Sequence, residues 1–348
     1  MMGRRIDPNQ PGLFGEDPIP QLAKPDDQIV SLGEALPRTI HLGTSSWSFP
    51  GWRGIVWEDE TTESLLAREG LRAYARHPLL RTVGVDKTYY RPAPRGEFER
   101  LRAQVPADFR FLVKAHDAIT RRDVDARSPN SAALWLDCAY AIDHVVEPIS
   151  AGLGENAGPI LFQFSHMNFR GVAAAESFIR CVGKFIGGLP VGPLYAIEVR
   201  DRILVRPSWA AMLRDSGATH CFNAHPTQPT PIEQSRVIDP ATQRALVGRW
   251  MLGSNMSYGG AIDRYEPFDK IVDADPATRD QFAQLCLIAS QAERHAFVII
   301  NNKAEGSAPR SVELLARTLV ERSRATSSFP ISQPSHNPSI NSTPKEST

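Results

Sequence analysis

A carboxylate and a guanidinium end an apolar stretch near the middle of the chain. Residues 194–200 have the short, β-branched and aromatic composition typical of a buried strand in a parallel sheet. Alternation across a strand predicts that Glu198 and Arg200 share one side. Because a buried carboxylate needs a compensating partner, the pair predicts either a structural ion pair or a reactive site. In the second interpretation Glu198 is a general acid or base whose pKa is set by Lys114, Arg200 and Arg249.

Lys114 and His116 lie two residues apart in the stretch 109–116, which predicts that both side chains point the same way. Together they would bind an anion, and His116 would alternatively serve as an acid or a base. A structural hydrogen bond is the other interpretation of His116, whereas lysine is rarely fully buried without a partner. Asp86 supplies a second carboxylate, which would permit glycoside-type acid/base chemistry with Glu198.

The same side chains also suggest a metal site as an alternative. Asp86, His116, Glu198 and His225 offer nitrogen and oxygen ligands on four predicted strands. No tight ligand spacing such as H-x-x-x-H joins them. We therefore predict a site without a resident metal or other cofactor.

An aromatic loop follows the first predicted strand. Residues 43–57 combine tryptophans with an arginine close to the strand end. Such groups suit stacking on a sugar, a base or another planar ligand, although simple packing is an equal alternative. The full set of predicted ligand-binding residues is Trp47, Trp52, Arg53, Asp86, Tyr90, Arg91, Gln163, Arg200, Arg249, Asn301 and Asn302.

The segment after the last predicted strand suits a phosphate group. Residues 301–309 lead into a helix predicted to begin near Pro309, and Lys303 adds a positive charge. Barrels of the type considered below often hold phosphate at a helix N-terminus near their last two strands, and Arg249 would be a second cation for it. Ordinary capping of the helix by Ser307 is the alternative.

These residues must be positioned by a repeating pattern of short apolar runs and longer amphipathic segments. The runs are residues 40–46, 82–88, 109–116, 159–164, 194–200, 219–225, 246–252 and 297–302. The helical candidates are residues 62–76, 95–104, 131–146, 173–187, 207–216, 240–244, 276–295 and 309–322. Eight such units predict an α/β protein with one (β/α)8 TIM-type barrel domain. A doubly wound sheet is disfavoured because residues 43–46 lack the G-x-G-x-x-G spacing.

Parity along each run predicts a polar side chain on the inner face near the carboxyl end of each strand. These side chains are Ser45 or Trp47, Asp86, Lys114 with His116, Gln163, Glu198 with Arg200, Asn223 or His225, Arg249, and Asn302. Barrels of this type keep their sites at the C-terminal face. We therefore expect these groups to converge at one rim.

Composition limits the classes of partner. Lys plus Arg number 39 and Asp plus Glu number 39, so the charge balance gives no nucleic-acid signature. The cysteines at 138, 181, 221 and 286 have no zinc or redox spacing, which is typical of a reducing compartment. No stretch approaches the length of a membrane span. We predict a cytoplasmic protein whose partner is a small anionic ligand.

Both ends of the chain differ from its centre. Residues 1–38 are rich in Pro, Asp and Gln, and residues from 325 onward lack any hydrophobic period. We predict a flexible extension over residues 1–38, the barrel over residues 39–323 and a disordered tail over residues 324–348.

The chain resembles the YecE-like family, domain-of-unknown-function family 72, over nearly all of the predicted barrel. The motifs that carry the resemblance are residues 43–48 with 52–54, 88–92, 111–116 with 119–120, 158–164, 197–200 with 207–209, and 301–302 with 305–306. Jointly these motifs are specific. The resemblance implies a TIM-type barrel and a family whose activity is not established.

The chain also departs from that family pattern. Gly84 and Asp86 stand where the family has Glu and Asn, Ser165 and His166 replace a pair of prolines, and Asp201 replaces a histidine. The Arg-Leu-His-Gly stretch expected in strand seven is absent as well. These losses weaken a two-carboxylate or metal mechanism and suggest a divergent subgroup.

The predicted function is that of a hydrolase or lyase acting on a polar anionic small ligand, such as a sugar phosphate or a nucleotide-like fragment. Glu198, Lys114 and His116 are the predicted catalytic residues. A non-catalytic ligand-binding or scaffold protein is the alternative, because a barrel fold does not establish catalysis. A divalent-metal-dependent hydrolase is a further alternative.

Overall fold

Eight parallel strands close into a barrel in which each strand pairs with its neighbours in sequence. The computed structural model describes residues 19–122, 134–253 and 256–327 of the 348-residue chain. The strands are β1 (Ile40–Thr44), β2 (Thr82–Val85), β3 (Arg110–Lys114), β4 (Ala157–Phe164), β5 (Tyr195–Val199), β6 (Thr219–Ala224), β7 (Leu246–Trp250) and β8 (Ala296–Ile300). Each predicted apolar run contains or overlaps one strand, and the predicted (β/α)8 barrel is confirmed.

Helices surround the sheet, and all of them except the first and the last lie between consecutive strands. They are α1 (Asp27–Ala35), α2 (Glu63–Leu65), α3 (Leu71–Tyr74), α4 (Arg95–Arg102), α5 (Asp117–Thr120), α6 (Cys138–Ala141), α7 (Glu147–Leu153), α8 (Val172–Gly187), α9 (Pro207–Ser216), α10 (Pro231–Ser235), α11 (Tyr258–Tyr265), α12 (Pro276–Gln291) and α13 (Ala308–Ser327). None of the helices in the described ranges is long and apolar enough to span a bilayer.

Some helices differ from the predicted segments. The predicted helix 62–76 is α2 and α3 joined by a π-helical segment, Leu66–Gly70. The predicted helix 131–146 begins outside the described residues, and its described part contains α6. Pro240–Thr242 forms only a 3-10 turn, so the predicted helix 240–244 is wrong. Helix α10, which hydrophobic periodicity misses because it is only five residues long, begins with a capping box.

Side-chain alternation divides the apolar core into an inner and an outer part. The inner cluster fills the barrel with Leu112, Leu161, Ala196, Cys221, Ala245, Val247, Phe297 and Ile299. The outer cluster lies between sheet and helices. Alternation keeps positions two residues apart on one face of a strand. Polar side chains that follow inner-cluster residues by two positions therefore start from the inner face, and these are Lys114, Gln163, Glu198, Asn223, Arg249 and Asn301.

The described residues extend into both predicted terminal segments. Residues 1–18 and 328–348 lie outside the described part of the chain. Within the predicted extension, Asp26 caps α1 by accepting a hydrogen bond from the amide of Ile29 at 2.8 Å. Arg81 donates to the carbonyl of Gly33 and so ties α1 to the start of β2. Helix α13 continues past the predicted boundary at 323 to Ser327.

Candidate functional site

Charged and amide side chains from the ends of five strands, β2 to β5 and β7, meet at the carboxyl-terminal end of the barrel. Arg249 is at their centre, because it contacts a side chain from each of β4 and β5 and one that follows β2. The register places Gln163 directly beside Glu198 on adjacent strands. We call the following residues the mouth cluster: Asp86, Lys114, Gln163, Glu198, Arg200 and Arg249.

The base of the mouth cluster is a buried carboxylate held by two guanidinium groups. Arg249 Nη1 donates to Glu198 Oε2 at 2.5 Å, and Arg200 Nη2 lies 2.5 Å from Glu198 Oε1. Glu198 and Arg249 are 0% and 1% exposed. Burial alone would raise the pKa of Glu198, but the charges of Arg200 and Arg249 outweigh it and lower the pKa to about 2. Glu198 is therefore a permanent carboxylate at neutral pH.

The upper part of the mouth cluster is open to solvent. Arg249 Nη2 lies 3.4 Å from Asp86 Oδ2, and Arg249 Nη1 also donates to Gln163 Oε1 at 3.2 Å. The side chain of Asp86 is 34% exposed, and Gln163 is half-buried. A ligand entering from the C-terminal face would meet Asp86 and Gln163 before it reached Glu198.

Lys114 is the cation of the mouth cluster with the weakest compensation. It is 8% exposed, and its Nζ lies 3.5 Å from the centre of the Tyr89 ring. Within the described residues no carboxylate is in ion-pair contact with this ammonium. Burial, together with the positive charge of Arg249, lowers the pKa of Lys114 to about 8. The side chain therefore gives up its proton at a lower pH than an exposed lysine.

The three predicted catalytic residues differ in their surroundings and therefore in their capacity for proton transfer. Glu198 does not fit the predicted acid/base role, because its proton affinity is very low and both oxygens face guanidinium groups. Lys114 can gain and lose a proton near neutral pH. His116 lies outside the cluster of contacts: its Nδ1 is 2.9 Å from the hydroxyl of Tyr140, and its Nε2 is 3.6 Å from Asp117. Those contacts match the structural interpretation of His116.

The predicted stacking residues lie in two different environments. Trp52 is fully buried and donates from Nε1 to Asn302 Oδ1 at 3.2 Å, and buried Trp47 donates to the carbonyl of Leu66 at 3.0 Å. These tryptophans leave no open ring face for a ligand and instead match the packing alternative. Tyr90, in contrast, is 78% exposed.

The predicted arginines of the first two loops are not part of the mouth cluster's contacts. Arg53 is exposed and lies 3.7 Å from Glu60. Arg91 is exposed one residue after Tyr90. The structure thus leaves Tyr90 and Arg91 accessible at the end of β2, without showing a contact between them and the buried ions.

The asparagines after β8 hold the loop rather than line the base of the mouth. Asn301 Nδ2 donates to Ser45 Oγ at 2.8 Å. Asn302 lies two positions after Ile300, whose side chain faces outward, so alternation places Asn302 on the outer face. Its predicted position on the inner face is therefore wrong. Asn302 Oδ1 accepts from the amide of Ala308 at 2.8 Å and thereby satisfies the first turn of α13. The predicted phosphate site at this helix is thus capped from within the chain, by Asn302 rather than Ser307.

Replacing Asn302 by alanine is expected to lower the free energy of unfolding by about 1–3 kcal/mol, because the amide of Ala308 and the indole of Trp52 both lose their acceptor. Denaturant unfolding would measure the loss. Ser307→Ala is the matched control, since the Ser307 hydroxyl has no partner among the described residues. Equal stability of the two variants would contradict the capping role.

The alternative metal site does not form from the predicted ligands. Across the described residues no group of three or more His, Cys, Asp or Glu side chains could hold a metal ion. His225 instead places Nδ1 2.9 Å from Thr227 Oγ1. Burial and the charge of Arg200 lower the pKa of His225 to about 4. The set of Asp86, His116, Glu198 and His225 is therefore dispersed around the rim.

One polar pair at the rim was not predicted as a site. His166 Nδ1 lies 2.8 Å from Asp201 Oδ1, and Asp201 Oδ2 accepts from the amide of Met167 at 2.9 Å. Both positions depart from the family pattern, and they follow Gln163 and Arg200 on neighbouring strands. The sequence signal that could have identified this pair was the occurrence of two departures from the family pattern at the ends of adjacent strands. His166 also lines a basic groove of about 330 Å³, whose charged residues are Arg121, Arg122 and Arg170.

Comparisons with known proteins agree on the fold. A family model described as "Protein of unknown function DUF72" matches residues 41–337. A DUF72 family protein from Thermotoga maritima MSB8 is 19% identical with a TM-score of 0.57, over 80% of this chain and 98% of that chain. A DUF72 family protein from Enterococcus faecalis V583 is 17% identical with a TM-score of 0.54, over 82% of this chain and 97% of that chain. None of the curated proteins compared with the chain matches it.

Proposed function

The chain belongs to the DUF72 family of proteins of unknown function, and from the geometry of its mouth cluster we propose that it is an enzyme acting on a small polar anion. The ligand class is a sugar phosphate or a nucleotide-like fragment, and the reaction class is hydrolase or lyase. Lys114 would carry the proton transfers or the bond-forming step. Arg200 and Arg249 would neutralise the charge of the ligand, and Gln163 would orient it.

The observation that carries this proposal is an excess of cations over carboxylates at the mouth of the barrel. Three cations, Lys114, Arg200 and Arg249, surround the two carboxylates of Glu198 and Asp86. Arg200 Nη1 and Arg249 Nε are buried without a hydrogen-bond acceptor among the described residues. Buried donors without acceptors are costly. A phosphate or carboxylate group would supply both the negative charge and the acceptor oxygens.

Asp86 complements the cations as the accessible carboxylate. Its side chain is 34% exposed, whereas Glu198 is completely buried. Asp86 would exchange protons with a ligand hydroxyl, while Glu198 would fix the positions of Arg200 and Arg249. This division of roles differs from the two-carboxylate mechanism expected of a glycosidase, because the carboxylate at the base is already neutralised by arginines.

Ligand-induced thermal stabilisation tests the proposal. We expect phosphorylated sugars and pyrophosphate to raise the melting temperature, and the unphosphorylated sugars to leave it unchanged, because binding to the native state stabilises it by mass action. Arg200→Gln should weaken binding at least about tenfold, since a charge-assisted hydrogen bond contributes roughly 1.5–3 kcal/mol. Arg202→Gln, which changes an exposed arginine two residues away, is the matched control. An unchanged response in Arg200→Gln would overturn the anion site.

A non-catalytic binding protein is the second candidate, favoured by the locked state of Glu198. A carboxylate held by two arginines is well suited to organising a binding site and poorly suited to proton transfer. Nuclear magnetic resonance spectra of each stabilising ligand, followed over hours with the protein, separate the candidates. Chemical conversion that disappears in Lys114→Met supports the enzyme. Binding without conversion for every stabilising ligand supports the binding protein.

A further inference from the structure

Lys114 differs from the other described lysines in burial and in surroundings. Lys87 is exposed and pairs with Glu97. Lys303, which is also buried, contacts the Tyr258 ring with its Nζ 4.2 Å from the ring centre. Lys114 alone among the described lysines belongs to the mouth cluster. The remaining described lysines are exposed, and they are Lys24, Lys184 and Lys270.

The surroundings of Lys114 favour a nucleophilic amine. The Tyr89 ring packs against its Nζ at 3.5 Å and keeps water from one side. Its strongest charged neighbour is Arg249, which disfavours the ammonium form, and burial acts in the same direction. The carbonyl of Lys114 accepts from Thr88 Oγ1 at 2.6 Å, which fixes the backbone from which the amine extends. Lysines desolvated beside another cation are the usual amine nucleophiles of enzymes.

We infer that the Lys114 amine forms an imine with an aldehyde or ketone group of the anionic ligand. This inference rests on the proposed function, because Arg200 and Arg249 would hold the anionic end of the same molecule. It narrows the ligand class to compounds that carry both a carbonyl group and a phosphate or carboxylate. It also favours a lyase over a hydrolase.

The chemistry balances without an oxidant or a reductant. The neutral Nζ of Lys114 attacks the carbonyl carbon, a C–N bond forms, and the carbonyl electron pair moves to oxygen. The nitrogen then loses its protons, the oxygen gains them and leaves as water, and a C=N bond remains. Protonation of that nitrogen makes it an electron sink for the cleavage of a neighbouring C–C bond. In that cleavage a ligand hydroxyl gives its proton to the accessible Asp86 and becomes a carbonyl group, while the electron pair of the broken C–C bond forms the C=C bond of an enamine. Asp86 would return the proton to the enamine carbon, and addition of water to the resulting imine would release the second product and the Lys114 amine.

Reductive trapping with pyridoxal 5′-phosphate tests the inference, because this probe carries an aldehyde and a phosphate. The full chain is incubated with the probe and sodium cyanoborohydride near pH 8, and the adduct is located by peptide mass spectrometry. We expect one adduct per chain, on Lys114, formed at least about tenfold faster than on any exposed lysine. Lys114→Met and Lys114→Arg should both lose the fast adduct. Lys87→Met, which removes an exposed lysine near the rim, should keep it.

The possible outcomes distinguish a failure of the imine inference from a failure of the proposed anion-binding function. Anion-dependent thermal stabilisation without a Lys114 adduct overturns the imine and leaves the proposed binding function standing. A Lys114 adduct that forms equally fast with unphosphorylated pyridoxal supports the imine and overturns the anion site. Slow adducts spread over the exposed lysines overturn the inference. Lys114→Arg keeps the positive charge, and its melting curve would show whether the variant is folded. Loss of labelling in a folded Lys114→Arg variant can then be assigned to the missing amine and not to misfolding.

Discussion

Replacing Arg249 by methionine is expected to lower the free energy of unfolding by up to about 3–5 kcal/mol, because it removes one of the two guanidinium groups that compensate the buried Glu198 and leaves only Arg200 beside that carboxylate. Arg249 is 1% exposed and pairs with Glu198, which is 0% exposed. Methionine retains much of the aliphatic volume, so the loss reports on charge more than on packing. Chemical denaturation at neutral pH would measure it.

Two further variants identify the source of that loss. Arg214→Met removes an arginine whose exposed side chain lies 3.5 Å from Asp215, and an exposed pair of this kind contributes only about 0–1 kcal/mol. Glu198→Leu combined with Arg249→Met should be more stable than Arg249→Met alone, since the completely buried carboxylate is then removed and the cation that loses its partner, Arg200, is only half-buried. A loss below about 1 kcal/mol in Arg249→Met would contradict the buried charge network.

Strand periodicity explains why the fold could be predicted from the sequence. Short apolar runs bounded by polar residues have few alternatives to a buried parallel strand. Residues 194–200 and 109–116 could be predicted as strands for this reason, and they contain β5 and β3. The same period places Lys114, Glu198 and Arg249 two positions after inner-cluster residues. The error at Asn302 was one of phase, because Phe297 and Ile299 face inward in β8 and alternation therefore places Asn301, not Asn302, on the inner face.

The contacts between distant residues could not be predicted from the sequence. Trp52 and Asn302 are 250 positions apart, and only the closed barrel brings the indole to the amide oxygen. Likewise, a carboxylate in a buried strand predicts a cationic or hydrogen-bonding partner, but the sequence does not show whether one or two guanidinium groups contact it. That difference decides whether Glu198 exchanges protons or only holds cations in place. Sequence therefore identified the ionisable groups without assigning their protonation.

Lys114 and Arg249 illustrate opposite contributions within one cluster. Arg249 compensates Glu198 and so stabilises the native state. Lys114 adds a further positive charge to a buried region that already contains two guanidinium groups, without a carboxylate of the described residues in contact. A group that is costly to bury persists where function requires it. Stability measurements on Lys114 variants therefore bear on function directly.

Lys114→Met is expected to raise the free energy of unfolding at pH 7 by about 1–3 kcal/mol. Burial lowers the pKa of Lys114 from 10.5 to about 8, and that gap corresponds to a cost of about 3 kcal/mol for holding the ammonium in the native state. That figure already includes the attraction of Lys114 to Asp86 and Glu198, and the different shape of methionine offsets part of the gain. Thermal and denaturant unfolding of both proteins would measure the difference.

The pH dependence of that difference has a defined sign. The native state of the wild type binds its Lys114 proton more weakly than the unfolded state, so the cost is complete below about pH 8 and shrinks as the pH rises toward 10.5. The stability advantage of Lys114→Met should therefore be largest at pH 7 and fall between pH 8 and 10.5. Lys87→Met, which changes an exposed lysine, should show neither the advantage nor its decline. A Lys114→Met variant less stable than the wild type at pH 7 would mean that the ammonium is compensated, and the excess positive charge that draws an anion into the mouth would then be absent.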